Sequence, residues 1–226
     1  NGGASGSNTH RLRIDSSGRV LIGTATARSA GDCTAQLQVE GTSFATASAT
    51  FISNAGASSG NQTHITIAKS RGSSDGSSTV LADDDGIGLI QWAGADGTDI
   101  NSVAAKIHAF VDGSPGSNDM PGRLVFGTTA DGASTPSERL RIDSSGNVGI
   151  NCTNPGQLLE INGSSNPCVL VKDTTNDCIS YLYSQDSVGT VGTASNHHFV
   201  FNVNNGEKVR ITPSGQVLIN TTETSA

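Results

Sequence analysis

Apolar and polar residues alternate in three short stretches of this chain, and the stretches are copies of one another. They are Arg11-Leu12-Arg13-Ile14-Asp15-Ser16-Ser17-Gly18-Arg19-Val20-Leu21-Ile22, Arg139-Leu140-Arg141-Ile142-Asp143-Ser144-Ser145-Gly146-Asn147-Val148-Gly149-Ile150 and Lys208-Val209-Arg210-Ile211-Thr212-Pro213-Ser214-Gly215-Gln216-Val217-Leu218-Ile219. Each begins with two apolar residues spaced by a basic one, the period of a strand with one buried and one wet face. Four turn residues follow. Asp or Thr at the first can bond the backbone two residues on, Pro213 suits the second, and Gly at the fourth accepts a left-handed backbone. The alternation then resumes, with Leu21, Gly149 or Leu218 at a position read as outward and loosely constrained. The pattern predicts three β-hairpins, each with one apolar face.

The copies start 128 (139 − 11) and 69 (208 − 139) residues apart, so a fixed unit carries insertions of unequal size. Its sequel also repeats. Leu37 and Val39 correspond to Leu159 and Ile161, which predicts a third short strand. Glu138 and Glu207 precede the second and third hairpins, where the first has His10. Alternation further predicts strands over His64–Lys69, Gly86–Trp92, Val103–Val111, Cys168–Lys172 and Ile179–Tyr183, and extended runs at Arg123–Phe126 and Phe199–Val203. Val103, Ala105, Ile107, Ala109 and Val111 would share a face. Nothing sustains a helical period. The chain reads as an all-β meander in three parts: 1–41, the first hairpin unit; 42–150, an inserted β-rich decoration ending in the second hairpin; and 151–226, the third unit.

A lone two-stranded hairpin is marginal in water, so each apolar face needs a cover. Composition decides what kind. One Met, one Trp, two Tyr and six Phe in 226 residues are too few for a thick core, and 28 Gly is about 12% against about 7% on average. Association between chains is the simpler closure, with Leu12, Ile14, Val20, Ile22, Leu140, Ile142, Val148, Ile150, Val209, Ile211, Val217 and Ile219 as its core. On this register Val148→Asp abolishes assembly and Asn147→Asp is mild. If 42–128 is decoration, its deletion leaves a folded assembly.

The net charge of −7 and the lack of a basic run argue against nucleic-acid binding. No apolar stretch reaches the ~18 residues of a membrane span. Asn1 opens the chain without a signal-peptide pattern, so it reads as a segment. Cys33, Cys152, Cys168 and Cys178 lack zinc-ligand spacing and read as free thiols, a disulfide among the last three being the alternative.

Candidate chemistry is thin. Asp83-Asp84-Asp85 is the densest acidic cluster. Neighbours on a strand point apart, so it suits a solvated turn better than an acid/base pair on a sugar. Asp96 with Asp99, or Asp112 with Asp119, match turns better than a calcium loop. His197-His198 reads as surface or packing residues, although one axial His per chain would place three imidazoles around an ion in a trimer. Trp92 packs or stacks a sugar. No nucleotide fingerprint or hydrolase motif is present. Catalytic residues, resident metal and cofactors are expected to be none.

The motif Glu138–Ile150 followed by Asn154–Ile161, and the longer run 95–150, resemble the repeated shaft unit of phage tail fibre and tail spike proteins, notably those of marine phages. In that family such units lie before an endosialidase-type intramolecular chaperone. Here the chain runs to Thr222-Glu223-Thr224-Ser225-Ala226 without one, which reads as a shaft segment. The resemblance implies an elongated, intertwined homotrimeric fibre, made in the host cytoplasm and carried in the virion. Implied partners are other tail fibre or baseplate proteins and a host surface glycan or outer-membrane receptor. The implied role is non-enzymatic attachment. The alternatives are a tail spike depolymerase and a cellular surface-fibril adhesin.

Overall fold

The hairpins form where the alternation places them. A computed structural model describes residues 11–54 and 62–220, and these residues form fifteen strands and no helix. In the first unit, β1 (Leu12–Ile14) pairs antiparallel with β2 (Val20–Ile22), and β3 (Leu37–Val39) completes a three-stranded sheet. Strands β4 (Gly86–Gly94), β5 (Ser102–Val111), β6 (Gly122–Thr128), β7 (Ser137–Ile142), β8 (Val148–Ile150) and β9 (Leu159–Ile161) follow in sheet order. Strands β10 (Cys168–Asp173), β11 (Cys178–Gln185) and β12 (Val188–Thr193) form one further sheet. Strands β13 (Phe199–Val203), β14 (Gly206–Ile211) and β15 (Val217–Ile219) form the last. The chain divides into two units, Asn1–Val148 with Asn154–Leu158, and Gly149–Thr153 with Leu159–Ala226. His10 and residues 222–226 lie outside the described residues.

One turn chemistry closes all three hairpins. Asp15 Oδ1 accepts from the N–H groups of Ser17 (2.8 Å) and Arg19 (3.0 Å), and the Asp15 carbonyl accepts from Gly18. Asp143 does the same for Ser145, Asn147 and Gly146. Thr212 Oγ1 accepts from Gln216 N–H, and its carbonyl from Gly215. The three glycines stand at φ 78°, 83° and 85°, where a Cβ is strained.

The third strand departs from a meander. Strand β3 runs parallel to β2, with Val20 donating to the Gln36 carbonyl and Glu40 to that of Ile22. The second repeat copies both bonds, Val148 to Leu158 and Asn162 to Ile150. A parallel connection must cross over one face of its sheet. Arg13, opposite Leu21, reaches the Ala25 carbonyl in that connection at 2.6 Å, so the crossover passes over the Leu21 face. Leu21 is therefore fully buried, and Gly149 is buried too. The position read as outward is the inward one. At Gly149 a Cβ would sit 2.3 Å from the Cys152 carbonyl oxygen, so the returning backbone requires Gly. Gly149→Ala should cost about 1–3 kcal/mol by overpacking. Denaturant titration checks this, and a change under about 0.5 kcal/mol would remove the close approach as the reason for Gly.

Two further expectations change. Residues 64–69 form no strand, and strand β12 was not foreseen. Its Val188-Gly189-Thr190-Val191-Gly192-Thr193 sequence repeats every three residues and hides a strand's period of two.

Candidate interaction surface

The strand registers gather the apolar residues into rows. In the first repeat the rows are Leu12-Ile22-Val39 and Ile14-Val20-Leu37. In the long sheet Ile90, Ile107, Phe126 and Leu140 stand in one row. Ala109, Leu124 and Ile142 stand in the next, and Trp92, Ala105 and Thr128 in another. In the last sheet the rows are Phe201-Val209-Ile219 and Phe199-Ile211-Val217, with the two Phe rings edge to face at 5.0 Å. Strand β5 thus places Ala105, Ile107 and Ala109 on one face as expected.

These rows remain open in the single chain. Of the twelve residues expected at a shared core, Leu12 (65%), Ile14 (69%), Ile22, Ile142, Ile150, Ile211, Val217 and Ile219 are exposed. Val20, Leu140, Val148 and Val209 are half-buried. Trp92 lies half-exposed in the same open surface. Among the described residues thirty large apolar side chains are exposed, and five apolar residues are buried: Leu21, Leu81, Val111, Val125 and Cys152. Fully burying an exposed Val, Leu, Ile or Phe is worth about 1.5–3 kcal/mol each, so covering these rows would add substantially to the stability of the fold. The sheet of β10–β12 is open as well, with Val169, Leu182 and Val191 in one exposed row.

The opposite face of the long sheet carries the charges. Glu138 and Arg141 are three apart on β7, which would put them on opposite faces of a regular strand. An extra residue, Arg139, bulges between Phe126 and Gly127 of the partner and restores one side for both. Arg141 then binds Glu138 through two bonds of 2.8 and 2.9 Å. The third repeat has the same shift at Phe201/Asn202 and the same fork, Arg210 on Glu207 at 2.7 Å twice. The repeated Glu is visible in sequence; its pairing with the Arg three residues on is not.

The acidic trio stands in a turn with Asp83 and Asp84 exposed, as expected, and its carboxylates also tie that turn to its neighbours. Asp85 holds Lys69, Arg71 and the Ala82 N–H, Asp84 holds Arg123, and Asp83 accepts from Gly113 N–H. Arg123 lies over the Phe110 ring at 4.7 Å and also binds Asp112 and the Val111 carbonyl. Asp112 in turn accepts from Ser144 N–H, in the second hairpin's turn. Asp96 and Asp99 cap their own turn, and Asp119 closes one with Gly116. His108 stacks on Phe110 at 3.8 Å, and burial with nearby Lys106 and Arg123 pushes its pKa down. The Nδ1 atom of His197 is buried without a partner, while His198 is exposed. Among the described residues no three His, Cys, Asp or Glu side chains are grouped to hold a metal ion. All four cysteines are free, with Cys152 buried.

Asn147 is not a neutral control position. Its Nδ2 donates to Pro155 O at 3.0 Å and lies 3.3 Å from Asp143 Oδ2, so Asn147→Asp would set a carboxylate against two oxygens.

Several carboxyls sit below their ordinary pKa. Arg19 hydrogen-bonds Asp15, Ala82 N–H bonds Asp85, Thr98 N–H bonds Asp96, Asn176 bonds Asp173 and Arg210 bonds Glu207. At Asp112 burial pulls upward, but Ser144 and Arg123 outweigh it. A lowered folded pKa contributes stability above the unfolded pKa, and that stability is lost as pH falls through the folded value. The thermal midpoint should stay level from about pH 7 to 5 and drop below about pH 4. A level midpoint down to about pH 2 would remove these bonds from the stability of the fold.

No protein-family profile matches the chain, and no curated protein matches it. Among solved structures it is similar to the carboxy-terminal domain of the bacteriophage T5 L-shaped tail fibre. The identity is 8% and the TM-score 0.39, over 79% of this chain and 92% of that one. It is similar also to that domain with its intramolecular chaperone domain, at 8% identity and a TM-score of 0.40, over 79% of this chain and 64% of that one.

Proposed function

We propose that this chain is a non-enzymatic shaft segment of a phage tail fibre, assembled as a homotrimer and displaying its loops toward the host surface. The observation that carries the reading is the row structure. All three hairpin units leave the same apolar face uncovered, and none of its twelve residues is buried in the single chain. Three such faces meeting on an axis remove from water what one chain leaves exposed. Strand edges closed between chains are also withdrawn from unwanted pairing. The likeness of the repeated hairpin to phage fibre units supports the fibre part of the reading. The engagement of each Asp83–Asp85 carboxylate by a cation or a backbone N–H supports a structural rather than a catalytic use.

Attachment would then rest on multiplicity. Three identical weak sites per fibre raise avidity without a tight single site, whether the receptor is a surface glycan or an outer-membrane protein. Baseplate or other fibre proteins are the partners along the axis. The test is native mass by light scattering, with boiled and unboiled SDS gels. The expected mass is about 69 kDa, three times the 22.9 kDa chain. A folded species at 22.9 kDa would overturn the assembly and the fibre reading with it.

A further inference from the structure

Strand β10 begins Cys168-Val169-Leu170-Val171, an unbroken apolar run of the kind that belongs to a strand covered on both faces. In the single chain it is instead the edge of its sheet, and all six of its residues are exposed, Leu170 at 56% and Val171 at 67%. It has no proline, no bulge and no charge before Lys172, the usual guards of a free edge. Two bonds just beyond the strands fix which backbone groups point outward. Ser184 N–H donates to the Pro167 carbonyl and Ala194 N–H to that of Ile179, and each continues the ladder of its strand pair. Antiparallel pairs alternate between bonded and unbonded positions. Counted from these two bonds, β10 turns the N–H and C=O of Cys168, Leu170 and Lys172 away from β11, and β12 does the same with Gly189, Val191 and Thr193. None of these groups has a backbone partner among the described residues. The two edges match. Each offers three residues, both strands run antiparallel to β11 and so in one sense, and Leu170 shares a face with Thr190 and Gly192.

We infer that the β10 edge of one copy of this chain pairs in parallel with the β12 edge of a second copy, with the uncharged rows Val169-Leu182-Val191 and Val171-Ser180-Thr193 turned inward. In a parallel pair an outward residue donates its N–H to one residue of the facing strand and accepts from another two further on. Each outward residue of β10 therefore bridges two outward residues of β12, and backbone groups that water otherwise holds are satisfied. Strand β10 becomes an interior strand, as its apolar run requires. The two joined edges are different surfaces, so the contact runs head to tail and closes as a ring. That the ring holds three copies rests on the proposed trimer; the pairing itself rests on the match of the edges.

The test uses the exposed Cys168 as a probe on β10, in a chain carrying Cys33→Ser and Cys178→Ser; Cys152 is buried and stays. Val188→Cys, Thr190→Cys and Gly192→Cys are added one at a time on β12. All three lie on the Cys168 face and sample three registers. Within one chain β10 and β12 stand two strand spacings apart, roughly 10 Å, beyond the reach of a disulfide. After mild oxidation one of the three variants should give a ladder of covalent dimer and trimer on non-reducing SDS gels. Val191→Cys, on the opposite face, should give none. Leu170→Pro removes an outward N–H from an edge strand, which the sheet of a single chain tolerates. It should erase the ladder while circular dichroism is kept, and Leu170→Ala should retain the ladder. A native mass that stays trimeric with no ladder from any of the three would overturn the edge pairing and leave the fibre reading standing. Cys168-to-Cys168 dimers without an added Cys would overturn it too, because like edges would then meet. A folded monomer of 22.9 kDa would remove both.

Discussion

Ile14→Asp should leave the single chain folded and abolish the proposed trimer. Ile14 is 69% exposed in the isolated chain, so a carboxylate there meets water and costs the fold little. At a shared axis the same change places three like charges in a desolvated space. An unpaired buried charge costs on the order of 3 kcal/mol or more per chain, hence about 9 kcal/mol per trimer. That is roughly a millionfold in the association constant. Ile142→Asp should act alike in the second repeat, and Thr50→Asp on an exposed loop should do nothing. Native mass reads all three. A trimer that tolerates Ile14→Asp as well as Thr50→Asp would place the axis elsewhere.

Arg123→Ala should be the most damaging change within the chain away from the open rows. The guanidinium is 11% exposed, binds Asp112 and Asp84, and covers Phe110. Asp84 is largely exposed and contributes little. Asp112 is 20% exposed, and its other oxygen holds the Ser144 N–H of the hairpin turn. Removing Arg123 leaves that carboxylate half-buried with one partner fewer, at a cost of about 2–3 kcal/mol. Arg123→Lys keeps the charge but loses the fork and the ring contact, so it should fall between the two. Denaturant midpoints order the series, and an Arg123→Ala loss under about 0.5 kcal/mol would show the clamp to be incidental.

What was legible in the sequence was local. Alternation and the Asp-Ser-Ser-Gly turn depend on neighbours, so the hairpins, the long β5 strand and the third short strand could all be read from the chain. What was missed depends on chain that returns from a distance. Leu21 is inside because a crossover of small and polar residues lies over it, and no residue in that crossover announces the path. The parallel sense of β3 follows from the same connection. The Glu138–Arg141 pair needs a bulge to break the period on which strand reading relies. The deletion of 42–128 must be judged anew for a similar reason. It would remove β6, which pairs with β7 along Leu124↔Ile142 to Thr128↔Ser137 and is the counterpart of β13, so part of it belongs to the repeat.

The hairpin turns also set the order of events in time. Each joins strands about ten residues apart around a backbone already fixed by its Asp or Thr, and such hairpins close in roughly 1–10 μs. The parallel strands come later, and so would the meeting of chains in the proposed trimer, at a rate that depends on concentration. In that interval each subunit of the proposed trimer would carry apolar hairpin faces that are marginal alone and have no cover. Dilution then prolongs a vulnerable intermediate, and crowding with unlike β-rich chains offers it wrong partners. Yield is decided by which encounter comes first.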